Sequence, residues 1–138
     1  MKIAYEEIHE GQFFRIDASY NYKGRRVPAG YIQGVDQQED GWLLGDVCVF
    51  DKVELERGFF GLFKKEAILG GQGIGSELLR RFEEKARSCS GSLIHGVIAG
   101  TDRVYAERLQ RWYERHEYTV AKTEDDSRIW GTILKRLR

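Results

Sequence analysis

The sequence predicts a mixed α+β fold in which a β-sheet packs against helices. Its first fifty residues are rich in β-branched and aromatic residues separated by turn-forming pieces, which is typical of strands. After Ile74, two stretches with helical spacing alternate with short apolar runs. The predicted order is therefore several strands, then helix, strand, helix, strand and strand.

Composition is that of a folded globular protein and argues against several classes of function. The 138 residues fit one domain, 1–138, and 41% of them are hydrophobic. Lys plus Arg and Asp plus Glu both number 22, so no basic field points to nucleic acid or an anionic membrane. We find no membrane-spanning run and no signal peptide, which predicts a cytoplasmic protein. Cys48 and Cys89 lack metal-ligand spacing and are expected to be reduced thiols.

The N-terminal part is assigned to strands as far as Phe50. QFFRIDASYNY, RRVPAGYIQGV and GWLLGDVCVF are predicted strands, with turns at 21–24 and 36–41, and KIAYEEI adds a short strand before them. Residues 51–69 fit neither pattern. Their apolar residues approach helical spacing, but Gly58 and Gly61 would each cost a helix interior about 1 kcal/mol.

From Ile74 onward the pattern is clear. The first helix is predicted to bury one face and to expose Arg80, Arg81, Glu83, Glu84 and Arg87; the buried face is Ile74, Leu78, Leu79, Phe82 and Ala86. CSGS ends this helix, and SLIHGVIAG is a buried strand. DRVYAERLQRWYERHE is a second helix, with an apolar or functional face of Val104, Leu109, Trp112, Tyr113 and His116. YTVAKT and SRIWGTILKRL form the last two strands.

A glycine-dense turn, with glycines at 70, 71, 73 and 75, leads into the first helix. Glycines allow a ligand close to the backbone, and the positive end of a helix attracts anions, so the turn is a candidate phosphate cradle. The alternative is a flexible loop before an ordinary helix. The missing lysine argues against a Walker loop, and a dinucleotide fingerprint fails because its last position falls on Ser76 or Leu78. The G-x-G-x-G of methyltransferases is matched, but too few residues follow for their parallel sheet.

The segment GGQGIGSELL resembles the acetyl-CoA-binding segment of the GCN5-related N-acetyltransferase (GNAT) superfamily, Gln/Arg-x-x-Gly-x-Gly/Ala, with Gly73 and Gly75 in the two small positions. SLIHGVIAG resembles the family's fifth strand, LQRWYERHEYTV its following helix and strand, and LGDVCVF the strand before the loop. The resemblance covers 70–138, about half the chain. It implies a mostly antiparallel central sheet with helices on both faces, as in acyl-CoA N-acyltransferases.

The chain departs from the family in three ways. Gly70 replaces the first amide or basic residue of the loop, and His116-Glu117-Tyr118 replaces Leu-Gly-Phe, so we expect that turn to have a different shape. Residues 51–69 are inserted before the loop, and the N-terminal helices are expected to be reduced. The insertion, with Phe59, Phe60 and Phe63, either forms a wall of the acceptor site or a second-subunit contact, or merely packs.

The resemblance also implies roles for particular residues. Acetyl-CoA would be held by Val49, Gly71, Gln72, Gly73, Ile74, Gly75 and Ser76, and Arg80 or Arg81 would approach the adenosine phosphate unless they are a solvated face. Tyr113 would protonate the leaving thiolate, with Tyr105 as the second choice and a core role as the alternative. A backbone N–H around 47–50 would polarise the carbonyl. The base candidates are His95, Asp46, Asp51, Glu54, Glu56, Glu66 or a bound water.

The sequence therefore predicts an N-acetyltransferase that uses acetyl-CoA as co-substrate and a primary amine of a small molecule or protein as acceptor. The alternatives are a non-catalytic acyl-CoA-binding module and, with less support, a methyltransferase. The aromatic residues at 59–63 also favour a homodimer.

Overall fold

The computed structural model describes residues 2–50, 52–57, 64–68, 73–100, 103–123 and 128–137, with the backbone alone at 52–57 and 64–68. Four strands come first: β1 (Ile3–Glu10), β2 (Phe13–Tyr22), β3 (Arg25–Asp36) and β4 (Trp42–Val49). Two strands follow in the segment that the sequence left unassigned: β5 (Lys52–Arg57) and β6 (Lys64–Ile68). The rest is α1 (Ile74–Ser88), β7 (Leu93–Ala99), α2 (Arg103–Arg115), β8 (Thr119–Lys122) and β9 (Ile129–Arg136).

Seven strands form one mixed sheet in the order β1-β2-β3-β4-β7-β9-β8. β4 and β7 are parallel, whereas β1–β2, β7–β9 and β8–β9 are antiparallel. This arrangement confirms the predicted mixed, mostly antiparallel sheet. Only Gly11 and Gln12 separate β1 from β2, so the connection has no room for helices and the expected reduction at the N-terminus is confirmed.

The segment 51–69 contains a two-stranded antiparallel ribbon rather than a helix. β5 pairs with β6 from Lys52 opposite Ile68 to Arg57 opposite Lys64, with an irregularity between Glu54 and Glu56. Near-helical spacing of apolar residues was therefore misleading, because backbone pairing between the two strands determines the local structure. Phe59, Phe60 and Phe63 lie outside the described residues, and their contact with an acceptor or a second subunit stays a prediction.

The chain divides into two compact units, and the first comprises Met1–Gln33 and Asp46–Phe82. Its core combines β2, β3 and the first half of α1, where the Phe14 and Phe82 rings lie 6.1 Å apart. Both rings are fully buried, and the face of α1 predicted to be buried is buried throughout. The helical period of 3.6 thus placed these apolar residues correctly. The single domain over 1–138 stays a prediction.

The second unit comprises Gly34–Gly45 and Glu83–Arg138. Its core includes Trp42, Ile94, Ile133 and Tyr113. The predicted apolar face of α2 is wrong at Val104, which is 69% exposed, whereas Ala106 is buried. Ala106 and Tyr113 are seven residues apart and share a face, but Val104 precedes Ala106 by two residues, which rotates it to the far side of the helix.

Two expectations about the whole chain concern its thiols and its membrane topology. Cys48 and Cys89 are both free thiols, as predicted. Neither α1 nor α2 is long and apolar enough to cross a membrane.

Candidate functional site

The glycine turn ends at Gly73, directly before α1. Gly73 has a φ of 75°, and a Cβ built on it would meet nothing within 4 Å. The first hydrogen bond of the helix runs from the N–H of Glu77 to the carbonyl of Gly73 at 3.0 Å, so the amides of Ile74 and Gly75 lie in the turn ahead of it. The open backbone and the positive end of the helix form a place suited to an anion. Gly71 and Gln72 lie outside the described residues.

A carboxylate lies in this first helical turn, and two arginines neutralise it. Glu77 accepts hydrogen bonds from Arg80 at 2.7 and 2.9 Å and from Arg81 at 2.7 Å. The Arg80 bond is the largest of the causes that lower the pKa of Glu77 to about 2. Arg81 also stacks on the ring of Tyr5 at 4.4 Å. Both arginines predicted to approach an adenosine phosphate are thus occupied with Glu77.

The parallel pairing between β4 and β7 is short. It joins Trp42, Leu43 and Leu44 to residues 94–96, although β4 continues to Val49 and β7 to Ala99. At the end of β4 the N–H of Phe50 donates to the carbonyl of Ala29 at 3.0 Å. Phe50 is therefore removed from the predicted carbonyl-polarising amides. Because successive amides of a strand point to opposite edges, the N–H of Val49 points away from β3.

One of the predicted base candidates, Asp46, has a described environment on β4. The hydroxyl of Tyr31 donates to Asp46 Oδ2 at 2.7 Å, and this bond is the first cause of a raised pKa at Tyr31. The guanidinium of Arg15 lies over the Tyr31 ring at 4.1 Å and pairs with Asp17 at 2.8 Å. Asp46 is exposed, so its carboxylate is reachable from solvent. The side chains of Asp51, Glu54, Glu56 and Glu66 lie outside the described residues.

The other base candidate, His95, lies on β7 and is half-buried. Its Nε2 is 2.8 Å from Oε1 of Gln37. With the amide oriented in this way Nε2 is the donor, which leaves Nδ1 as the basic nitrogen. This partner gives His95 a structural role, and its role as a base stays a prediction.

Tyr113, the predicted proton donor, lies in the last turns of α2 and is 4% exposed. Its ring packs edge-on against Trp112, with the centroids 5.1 Å apart, and in a tilted arrangement against Tyr118 at 5.4 Å. The second choice, Tyr105, is 51% exposed on the same helix. Tyr113 is thus a core residue, as its structural alternative required, and its catalytic role stays a prediction.

The turn after α2 corrects the expectation that it would differ in shape from a glycine turn. Glu117 has a φ of 70°, the left-handed conformation that glycine usually occupies at a helix end. The N–H of Tyr118 bonds to the carbonyl of Tyr113, and that of Glu117 bonds to the carbonyl of Glu114, both at 3.0 Å. These two bonds define a Schellman motif, in which the contact between the Tyr113 and Tyr118 rings is the usual apolar closure. Hydrogen bonding therefore imposes this shape on a glutamate.

A buried polar network was missed by the sequence reasoning, which placed Glu83 on the exposed face of α1. Glu83 is only 7% exposed. It accepts a hydrogen bond from the hydroxyl of Tyr118 at 2.9 Å and lies 3.1 Å from Lys135 Nζ. The available signal was its position four residues after Leu79, on the same side of the helix as a core residue.

Comparison with known proteins places the fold. No family model matches the sequence, and no curated protein matches it. A Desulfovibrio desulfuricans protein assigned to the GNAT family of acetyltransferases superposes with a TM-score of 0.64 at 18% identity, over 92% of this chain and 70% of its own. Ard1 from Thermoplasma volcanium gives 0.60 at 17%, over 88% and 70%. PaiA N-acetyltransferase from Thermoplasma acidophilum, in complex with coenzyme A, gives 0.59 at 12%, over 91% and 61%.

Identities this low establish a shared architecture and leave activity open. The antiparallel pairs of the sheet also remove the methyltransferase alternative, which required a parallel sheet. The chain therefore has the fold of the GNAT superfamily, as its glycine turn and the segments after it predicted.

Proposed function

We propose that this protein is an N-acetyltransferase that transfers the acetyl group of acetyl-CoA to a primary amine of a small molecule or protein. The observation that carries the proposal is the N-terminus of α1, where Gly73 leaves the backbone open within a GNAT fold. One solved structure with this fold, PaiA, was obtained in complex with coenzyme A.

The first turn of α1 supplies the proposed pyrophosphate contacts. The amides of Gly73, Ile74, Gly75 and Ser76 donate to phosphate oxygens, and the positive end of the helix favours their charge. The nearby carboxylate of Glu77 does not oppose this binding, because Arg80 and Arg81 already pair with it. At the end of β4, the N–H of Val49 is the proposed donor to the acetyl carbonyl of the cofactor.

Transfer requires one new bond, one broken bond and the movement of two protons. The neutral amine nitrogen bonds to the acetyl carbon, and the carbon–sulfur bond breaks with its electron pair on sulfur. Tyr113 donates a proton to that thiolate, and a base takes the proton released by the amine. Asp46 is the proposed base, because it is an exposed carboxylate whose position is held by the hydroxyl of Tyr31.

A second candidate function is a non-catalytic acyl-CoA-binding module. The burial of Tyr113 favours it, since a residue enclosed by Trp112 and Tyr118 has a sufficient reason to be present without chemistry. Both functions require CoA binding, and only the enzyme releases thiol when an amine is present.

The test combines binding with turnover. Thermal unfolding is measured with acetyl-CoA, S-adenosylmethionine or ATP, and a ligand at one hundred times its Kd adds about 2.7 kcal/mol to the free energy of unfolding. Free thiol is then followed with a panel of small amines and a lysine peptide. Tyr113→Phe should keep the thermal shift and lose turnover, and Tyr105→Phe tells which tyrosine donates the proton. A shift without thiol release supports the binding module, and no shift with acetyl-CoA rejects both functions.

A further inference from the structure

The buried carboxylate of Glu83 is held by groups from two other elements. Tyr118, just after α2, donates its hydroxyl to Oε2, and Lys135 of β9 donates to Oε1 and Oε2 at 3.1 and 3.2 Å. Arg87 lies farther away, at 3.7 Å. A carboxylate with this little exposure is tolerated because a cation and a hydroxyl both compensate its charge.

Stability alone does not require such a network. Replacing a buried ion pair with well-packed apolar residues is often neutral or stabilising, whereas the ionic version imposes one geometry. The Tyr118 ring already packs against Tyr113, and its hydroxyl adds a directional bond to that contact. Burial, followed by the charge of Glu83, raises the pKa of Tyr118 far above its usual range, so the hydroxyl keeps its proton and remains a donor.

The network of Glu83 and Lys135 forms hydrogen bonds on both sides of the turn that follows Tyr113. On one side the Tyr118 hydroxyl is fixed to Glu83, and on the other the carbonyl of His116 accepts from Lys135 Nζ at 3.0 Å. The amides of these same two residues, His116 and Tyr118, both bond to the carbonyl of Tyr113 at 3.0 Å. Tyr118 and His116 thus contact the ring and backbone of Tyr113, and they are themselves bound by Glu83 and Lys135.

We infer that Glu83 is a positioning residue for Tyr113, acting through Tyr118 and Lys135. This inference rests on the proposed acetyl transfer, in which Tyr113 protonates the leaving thiolate. Loss of the Tyr118 hydroxyl leaves Tyr113 chemically intact but allows its ring and the turn after it to shift. Misplacement of a catalytic group by about 1 Å costs up to about a hundredfold in rate. Cofactor affinity, which depends on the first turn of α1, should be unaffected.

The test uses Tyr118→Phe, which removes a single oxygen, and Glu83→Gln, which keeps an acceptor for Tyr118. Ile133→Val is the matched control, because it alters a buried residue of β9 two positions from Lys135. At a temperature where every variant is folded, Tyr118→Phe should lower kcat at least about tenfold. The Kd of Tyr118→Phe for acetyl-CoA should stay at the wild-type value. Glu83→Gln should lose less kcat than Tyr118→Phe, and Ile133→Val should keep the wild-type kcat.

A double variant identifies the route of the effect. If Tyr118 acts through Tyr113, then Tyr113→Phe combined with Tyr118→Phe should be no slower than Tyr113→Phe alone. Independent, multiplying losses would overturn the inference, and so would a Tyr118→Phe enzyme with the kcat of the control. Absence of acetyl transfer by the wild-type protein would instead overturn the proposed function and this inference with it.

Discussion

The amide of Tyr118 donates to the carbonyl of Tyr113 at 3.0 Å, across a turn in which Glu117 has a left-handed backbone. The same bond pattern ends α1, where the N–H of Gly91 donates to the carbonyl of Ala86 at 2.7 Å and Ser90 has a φ of 62°. Both helices thus end in Schellman motifs whose left-handed position is not glycine. Backbone hydrogen bonds compensate the strain in both turns, and after α2 the contact between the Tyr113 and Tyr118 rings adds to them.

Replacing Glu117 by glycine should therefore stabilise the protein. Left-handed backbone costs an L-residue about 1–2 kcal/mol, and the greater freedom of glycine in the unfolded chain offsets part of that gain. We expect Glu117→Gly to raise the free energy of unfolding by about 0.5–1 kcal/mol, measured by urea denaturation. Glu114→Gly is the control and should lower it by about 1 kcal/mol, because residue 114 is inside α2. Destabilisation by Glu117→Gly would show that its side chain matters more than its backbone.

A negative charge in the first turn of α1 should weaken CoA binding. Ser76→Asp introduces a carboxylate beside the proposed pyrophosphate contacts, and Ser76→Asn is the uncharged control of nearly the same size. We expect the Kd for acetyl-CoA, measured by calorimetry, to be about tenfold higher for the aspartate variant than for the asparagine variant. Adding salt should reduce the difference between the two Kd values, because it screens the added charge. Equal Kd values for the two variants would place the phosphate elsewhere.

Removing the cation beside Glu83 should destabilise the protein strongly. Lys135→Met keeps the length of the side chain but leaves the Glu83 carboxylate with less compensation in a buried site. We expect the free energy of unfolding to fall by about 3 kcal/mol. Lys122→Met, which removes an exposed lysine lying 4.3 Å from the Trp130 ring, should cost about 1 kcal/mol or less. A similar small loss for both variants would mean that Glu83 is well solvated.

Stability should fall in acid through Glu77. Its hydrogen bond to Arg80, with Arg81 assisting, lowers its pKa from 4.5 to about 2 in the folded protein. The contribution of a carboxylate with a lowered pKa is complete above the unfolded value, about pH 4.5, and is lost as the pH falls towards about 2. Because these side chains are partly exposed, we expect at most about 1 kcal/mol.

The check is the urea-unfolding free energy of wild type and Glu77→Gln across that pH range. The two curves should differ above about pH 4.5 and converge towards about pH 2. A constant difference throughout would mean that the ion pairs with Arg80 and Arg81 do not contribute to stability in solution.

Local spacing accounts for most of the elements. The apolar residues of α1 recur at helical intervals, and Phe82 meets Phe14 as a core residue should. The spacing of apolar residues failed to predict the secondary structure where strands pair with each other. Residues 52–57 and 64–68 became strands because they pair with each other, and this partnership is invisible to a test of periodicity within one stretch.

In the candidate site, too, the features set by adjacent residues were predictable and those that join distant residues were not. A glycine before an amphipathic helix is a local feature, so the turn at Gly73 and the start of α1 were predictable from adjacent residues. The occupation of Arg80 and Arg81 by Glu77 was also readable in principle, because residues three and four apart on a helix are neighbours. The donation of the Phe50 amide to Ala29 was not, because it joins two strands.

The sequence by itself determined the order of strands and helices outside residues 51–69, the glycine turn and the position of Tyr113 on its helix. These features follow from interactions between residues a few positions apart, and the spacing of apolar residues in the sequence shows them directly. Only the tertiary structure decided the burial of Glu83 and its bonds to Tyr118 and Lys135. Residues 83, 118 and 135 are distant in sequence, and the free energy of burying a charge depends on which groups the fold brings beside it.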